Sequence, residues 1–131
     1  MKKDIHIPKV SGVEIAIVFE HNHIYKTDDW NVYIINNKGV DLELLVIVSK
    51  GYSDNKVTSV LRKKLERLPA NSFAKIELIQ PELFKLTNEF QVTFFENNKL
   101  FDKTYIFKKG AIKEGALRLI PSLNKRGVIA E

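Results

Sequence analysis

The sequence predicts an all-β fold, an antiparallel β-sandwich of about seven strands that is immunoglobulin- or fibronectin-like and carries short helical turns. Three observations predict this class. Short segments of alternating apolar and polar residues recur roughly every 8–15 residues, with turn signals between them. Residues 89–107 have the form of a long aromatic hairpin. No segment has the pattern of a crossover helix, which disfavours a parallel α/β sheet. The 131 residues fit one domain, 1–131.

The first three strands are predicted from their apolar patterns. Residues 13–19 alternate with one apolar face, and residues 30–36 alternate around Trp30. Residues 42–49 form a nearly continuous apolar run, which is typical of a central strand buried on both faces. A turn signal at 37–39 separates the last two segments, so we expect these two strands to pair as a hairpin.

The middle of the chain contains one ambiguous segment. Residues 57–68 place their apolar side chains on one face of a helix, and most of these also share one face of a strand. Residues 61–67 are good helix formers, but strands are predicted on both sides, so an edge strand with its lysines in water is favoured. Residues 72–79 alternate and predict the next strand, and Pro81 marks a short helical turn.

Residues 89–107 predict a hairpin that turns at Asn97-Asn98, because asparagine tolerates a positive φ better than most residues. One face of this hairpin is aromatic and suits packing on a second sheet better than it suits base stacking. The cross-strand pairs that follow from the turn are Glu96 with Lys99, Phe94 with Phe101, and Phe90 with Tyr105.

The opposite face of the hairpin carries the candidate partner-binding residues. Phe95 and Leu100 pair there, beside otherwise polar side chains. An apolar pair on a polar face is a candidate contact for a partner protein or a second copy of the chain. Lys103 falls on the core side in this register and is expected to extend its amine outward, and a bulge there would change the assignment.

The alternation of apolar and polar residues becomes irregular after Gly110. Residues 111–119 predict a short helix, which Gly115 weakens and Pro121 ends. Residues 127–129 are apolar enough to return as a last short strand.

The net charge of +5 is concentrated near the C-terminus. Residues 104–126 hold six basic residues and one acidic residue, so the rest of the chain is close to neutral. One interpretation is a basic surface for an anionic partner such as RNA. The other is a solvated edge whose lysines maintain solubility and prevent sheet-to-sheet aggregation. The candidate anion-binding residues are Lys108, Lys109, Lys113, Lys125 and Arg126.

The residues that carry catalytic or metal chemistry are sparse. The chain has no cysteine, which excludes disulfides and thiolate metal sites. His21 and His23 share a strand face, but no third ligand is evident, so no metal site is expected. Nucleophile-elbow and phosphate-loop motifs are absent, and the paired carboxylates fall at turns or strand ends. We therefore expect neither an enzyme nor a bound cofactor.

The N-terminus does not resemble a secretory leader. Two lysines near the start are not followed by a long apolar run. The densest apolar run, 42–48, is much shorter than the roughly 20 residues that span a bilayer. These features predict a cytoplasmic protein without a membrane partner.

Two segments carry a resemblance to a known family. Residues 1–10, which begin Met-Lys-Lys-Asp-Ile-His-Ile-Pro, and residues 86–107 resemble a family of short proteins from Bacteroidota. Many members of that family bear the name phenylalanyl-tRNA synthetase alpha subunit, which implies a tRNA-linked role. The arginine motifs with which class II synthetases grip ATP are absent from this chain, so the resemblance assigns no functional residue.

The sequence as a whole therefore predicts a non-enzymatic protein-interaction module, self-association included. The alternative is an RNA- or tRNA-associated accessory protein that uses the basic C-terminal surface.

Overall fold

A computed structural model of the protein describes residues 9–130. These residues form nine strands in two antiparallel sheets, which confirms the predicted all-β sandwich and exceeds the expected strand number. None of the helices in residues 9–130 has the length and apolar character needed to cross a bilayer. The strands are β1 Val13–Asn22, β2 Thr27–Asn36, β3 Leu42–Tyr52, β4 Leu61–Leu68, β5 Ser72–Leu78, β6 Thr87–Glu96, β7 Lys99–Phe107, β8 Arg118–Ile120 and β9 Lys125–Ile129.

The five-stranded sheet has the order β5-β2-β1-β9-β8. β1 and β2 form a hairpin in continuous register, from Val13 opposite Asn36 to Asn22 opposite Thr27. The Asn22 side chain stabilises the turn, because its Oδ1 accepts hydrogen bonds from the backbone N–H groups of Ile24 (3.0 Å) and Tyr25 (3.1 Å).

The four-stranded sheet has the order β4-β3-β6-β7. The register of β6 and β7 contains every cross-strand pair predicted for the 89–107 hairpin, without a shift. Asn97 and Asn98 both have positive φ, 51° and 63°, as a two-residue turn between twisted strands requires. Lys103 lies opposite Val92 with no bulge, and its Nζ lies 4.8 Å from the Tyr105 ring centroid.

Side chains from the facing sides of the two sheets form the main core. Most of the predicted inward residues of β1, β2 and the hairpin are buried there, including Ile15, Val32, Phe94 and Tyr105, and Phe19 is partly buried against them. A second, smaller cluster covers the outer face of the five-stranded sheet, where Ile120 and Leu123 pack with four residues of β1 and β2. The β8–β9 hairpin therefore extends that sheet and also supplies part of its cover.

The predicted hairpin between β2 and β3 is wrong. β2 lies between β1 and β5, whereas β3 lies in the other sheet between β4 and β6, so the 37–41 turn crosses from one sheet to the other. Asn36 stabilises this crossing, because its buried Nδ2 donates hydrogen bonds to the carbonyls of Val40, Leu68 and Pro69. A turn signal in sequence indicates a change of direction but not the sheet in which the chain continues.

The predicted helix over 111–119 is also wrong. The structure has only one short 3₁₀ helix there, Glu114–Ala116, followed directly by β8. Ile112 and Leu117 are both buried in the main core. This connection must carry the chain from one sheet to the other, so an extended path with two core anchors replaces a regular helix.

Two weaker predictions are confirmed. Within the ambiguous segment 57–68, residues 61–68 form the edge strand, with Lys63 and Lys64 exposed as expected, whereas residues 57–60 precede the strand. The helical turn expected at Pro81 is the 3₁₀ helix Pro81–Lys85.

Candidate functional site

The outer face of the four-stranded sheet holds the predicted partner-binding pair. Phe95 lies opposite Leu100 in the β6–β7 register, as expected. Leu100 is 56% exposed and Phe95 is half-buried. Their neighbours Phe94 and Phe101 face the other way and are buried, so the alternation of the strands places Phe95 and Leu100 toward solvent.

Leu44 adds a third apolar side chain that the sequence analysis missed. Residues 42–49 were expected to be buried on both faces, but Leu44 is 62% exposed. The cause is an irregularity in β3, since the pairing with β6 shifts register between Glu43 and Val46. Leu44 there has a φ of 50°, a backbone conformation that bulky residues rarely adopt.

The groove beside β4 and the strand register place these side chains on the outer face. Leu44 and Val46 line a groove of about 260 Å³ beside β4. Val46 of β3 lies opposite Thr93 of β6. Phe95 is two residues beyond Thr93 on β6, and its side chain lies on the same face as that of Thr93. We call the set Leu44, Val46, Phe95 and Leu100 the outer apolar patch.

Charged residues flank the outer apolar patch on both sides. Arg67 and Lys64 lie on β4, opposite Glu43 and Val46 of β3. On β7 the next outward residue after Leu100 is Asp102, opposite Thr93. An apolar centre with a charged rim is the usual composition of a protein-binding surface.

The five candidate anion-binding residues lie in three separate parts of the fold. Lys108 and Lys109 follow β7, and Lys113 precedes the 3₁₀ helix Glu114–Ala116. All three are exposed. Lys125 and Arg126 begin β9, in the other sheet. The structure therefore distributes these charges along the path that joins the two sheets.

Lys125 already has an internal partner. Its Nζ lies 3.0 Å from Oε1 of Glu20, whose Oε2 accepts hydrogen bonds from Asn31 Nδ2 (2.8 Å) and Tyr33 Oη (2.6 Å). Burial alone would raise the pKa of Glu20, but the three donors outweigh it and hold the pKa below its usual range. Burial of Tyr33 and its hydrogen bond to the Glu20 carboxylate raise the pKa of Tyr33. This network supports the sheet and engages one of the predicted anion-binding lysines.

A cleft between the two sheets contains the carboxyl group of Glu77. It measures about 280 Å³ and is lined by residues of β3, β5 and β6 together with Thr58 and Ser59. Ser49 Oγ donates to Glu77 Oε1 at 3.0 Å, and burial raises the pKa of Glu77. Lys50, the other ionisable lining residue, lies 3.7 Å from Oε2 of Glu89 and beside the Tyr52 ring. The cleft thus offers one carboxylic acid without the second carboxylate that paired acid–base chemistry uses.

The histidines form a small polar cluster at the end of the β1–β2 hairpin. His21 Nδ1 lies 2.9 Å from Asp28 Oδ1, and the His21 and His23 rings meet edge to face. No group of three or more candidate metal ligands occurs within residues 9–130. His6 lies outside the described residues.

Comparison of the chain with protein-family models, with curated proteins and with solved structures gives no match. The proposed function is therefore argued from the surfaces described above.

Proposed function

We propose that this protein is a non-enzymatic interaction module that binds another protein, a second copy of itself included, through the outer apolar patch. The observation that carries the proposal is Leu44, a leucine that is both exposed and held at a positive φ. Burying its side chain against a partner would recover hydrophobic free energy that the free protein lacks, at about 25 cal/mol per Å² of apolar surface.

The arrangement of the strands supports the same role. We infer an immunoglobulin- or fibronectin-like arrangement for β1 to β7. Labelled A, B, C, C′, E, F and G in chain order, these strands put A, B and E in one sheet and C′, C, F and G in the other. The outer apolar patch then lies on the C′CFG face. A cytoplasmic location fits the absence of cysteine.

Solution mass tests the outer apolar patch directly. We expect Leu44→Asp and Leu100→Asp to lower the assembly mass, or to release a co-purifying partner, because each substitution places a charge in the proposed contact. Light scattering coupled to size exclusion, with mass spectrometry of co-purified proteins, provides the measurement.

The control is Leu119→Asp, since Leu119 is 60% exposed but lies on β8, outside the outer apolar patch. If neither patch variant changes the mass or the bound partners relative to this control, the proposed contact is incorrect.

A nucleic-acid role is the second candidate, and the concentration of positive charge in residues 104–126 favours it. The resemblance to the Bacteroidota family points to tRNA in particular. Neutralising phosphates releases counterions, so affinity for RNA would fall steeply with salt. Elution from a polyanion column at low salt would exclude this role.

A further inference from the structure

The free edge of β7 has the geometry of a strand-binding site. Within residues 9–130, β7 pairs only with β6, through nine consecutive residue pairs without a register shift. Because a two-residue turn joins the strands, Glu96 and Lys99 form a hydrogen-bonded pair, and the backbone groups of alternate residues then point away from β6. The N–H and C=O groups that point away from β6 are those of Leu100, Asp102, Thr104 and Ile106.

The chain that follows β7 leaves this edge unpaired over residues 111–117. The backbone N–H groups of Ala111, Ala116 and Leu117 bond to carbonyls of residues 108–114 in their own connection. Gly110 N donates to Phe84 O, which joins the start of the connection to the 3₁₀ helix Pro81–Lys85. The side chains of Leu100, Asp102 and Thr104 are exposed. Among residues 9–130, no strand covers this part of the edge, so an added strand can pair there.

The other sheet edges are less suited to pairing. β8 has only three residues. β5 pairs with β2 across a register shift at Val32/Tyr33, and β4 lies beside the irregular part of β3. Irregular and short edge strands are the usual protection against intermolecular pairing, and β7 has neither feature.

The charge around β7 indicates the chemistry of the partner. Residues 99–109, which comprise β7 and the two residues after it, contain four basic side chains and one acidic side chain, a net charge of +3 out of +5 for the whole chain. Lys99 and Lys103 lie on β7 itself, and Lys108 and Lys109 follow it directly. A second copy would bring the same positive charges to the edge, whereas an acidic segment would complement them.

We propose that the free edge of β7 binds an extended, acidic peptide segment of a partner protein as an additional strand of the four-stranded sheet. This inference rests on the proposed interaction function and specifies its partner. Backbone hydrogen bonds supply the pairing, and the lysines select for acidic side chains. The added strand would continue the outer face next to Leu100, so one partner can contact the edge and the outer apolar patch together.

Fluorescence anisotropy with labelled synthetic peptides tests the edge. The probe is a short peptide in which valine alternates with glutamate, and the comparison peptide carries lysine in place of glutamate. We expect Thr104→Pro to weaken binding of the acidic peptide about tenfold, because it removes one edge N–H and inserts a ring. Proline is tolerated on an edge strand whose N–H faces solvent, so the fold is retained. Thr104→Val keeps the N–H and should bind as the wild type does.

A charge variant keeps the proposal testable if the proline variant fails to fold. Lys103→Glu should weaken the acidic peptide and strengthen the lysine peptide. Equal binding of the two peptides to the wild type, or no change with Lys103→Glu, would overturn the proposal. Binding of a labelled oligouridine without binding of the acidic peptide would also overturn the proposal. That result would mean that the basic side chains bind nucleic acid. If the partner is lost with Leu100→Asp but not with Thr104→Pro, the outer apolar patch is the binding surface and the proposed strand pairing at the β7 edge is wrong.

Discussion

Two glutamate side chains show how local surroundings give chemically identical groups different pKa values. Glu20 is held by three donors that lower its pKa, whereas Glu77 is half-buried beside the single hydroxyl of Ser49, and its pKa is raised. Both residues occur in strands of ordinary alternation, so the sequence does not distinguish them. The difference arises from partners that are distant along the chain.

Glu77→Gln should make the stability of the protein less dependent on pH. A folded-state pKa above the unfolded value of about 4.3 means that stability from protonated Glu77 is present below that pH and lost as the pH rises through the folded-state pKa. Glutamine keeps the acceptor for Ser49 and does not ionise. We therefore expect the free energy of unfolding of the variant, relative to wild type, to increase between pH 4 and pH 7 in urea titrations.

The exposed Glu66→Gln is the matched control for this experiment, since Glu66 is on the edge strand β4. A relative stability of Glu77→Gln that stays constant between the two pH values would contradict the burial of the Glu77 carboxyl.

At the scale of elements, the 89–107 hairpin was the most predictable part of the chain. A two-residue turn with two asparagines fixes the register, and the register determines which aromatic residues face the core. β3 was less predictable, because the irregularity at Leu44 depends on how β3 fits both β4 and β6. β9 was predicted as a strand, but its partner β1 could not be deduced from its five residues.

Gly127→Ala should destabilise the pairing of β9 with β1. A Cβ at this position would lie 2.7 Å from the Ile17 carbonyl oxygen and 2.9 Å from Ile120 Cδ1, so backbone or core must move. Overpacking of this kind costs about 1–3 kcal/mol, which we expect as a lower free energy of unfolding in urea.

Gly115→Ala is the control, because nothing lies within 4 Å of its added methyl group. Equal stabilities of the two alanine variants would show that β9 does not pack against β1 as closely as described.

At the scale of the molecule, the Tyr105 hydroxyl forms a buried link between the two sheets. Tyr105 of β7 donates from its Oη to the backbone carbonyl of Val13 in β1, at 2.5 Å, and both residues are buried. Burial, together with the Glu14 charge, raises the pKa of Tyr105, so its hydroxyl stays protonated and donating well into the alkaline range.

Tyr105→Phe should lower the free energy of unfolding by about 1–2 kcal/mol, because the buried Val13 carbonyl loses its donor. Chemical denaturation at neutral pH measures the change. Tyr25→Phe, at an exposed turn position, should have no comparable effect. A Tyr105→Phe variant as stable as the control would mean that the hydroxyl contributes nothing to sheet packing.

The sequence by itself determined the all-β class, the hairpin register and the outward position of Phe95 and Leu100. These follow from alternation and turn chemistry, which act over a few residues. Tertiary structure decided the crossing after Asn36, the exposure of Leu44, the pairing of Lys125 with Glu20 and the edge position of β7 in its sheet. Each of these depends on which strands become neighbours, and that choice is made by packing the two apolar faces together rather than by any local pattern.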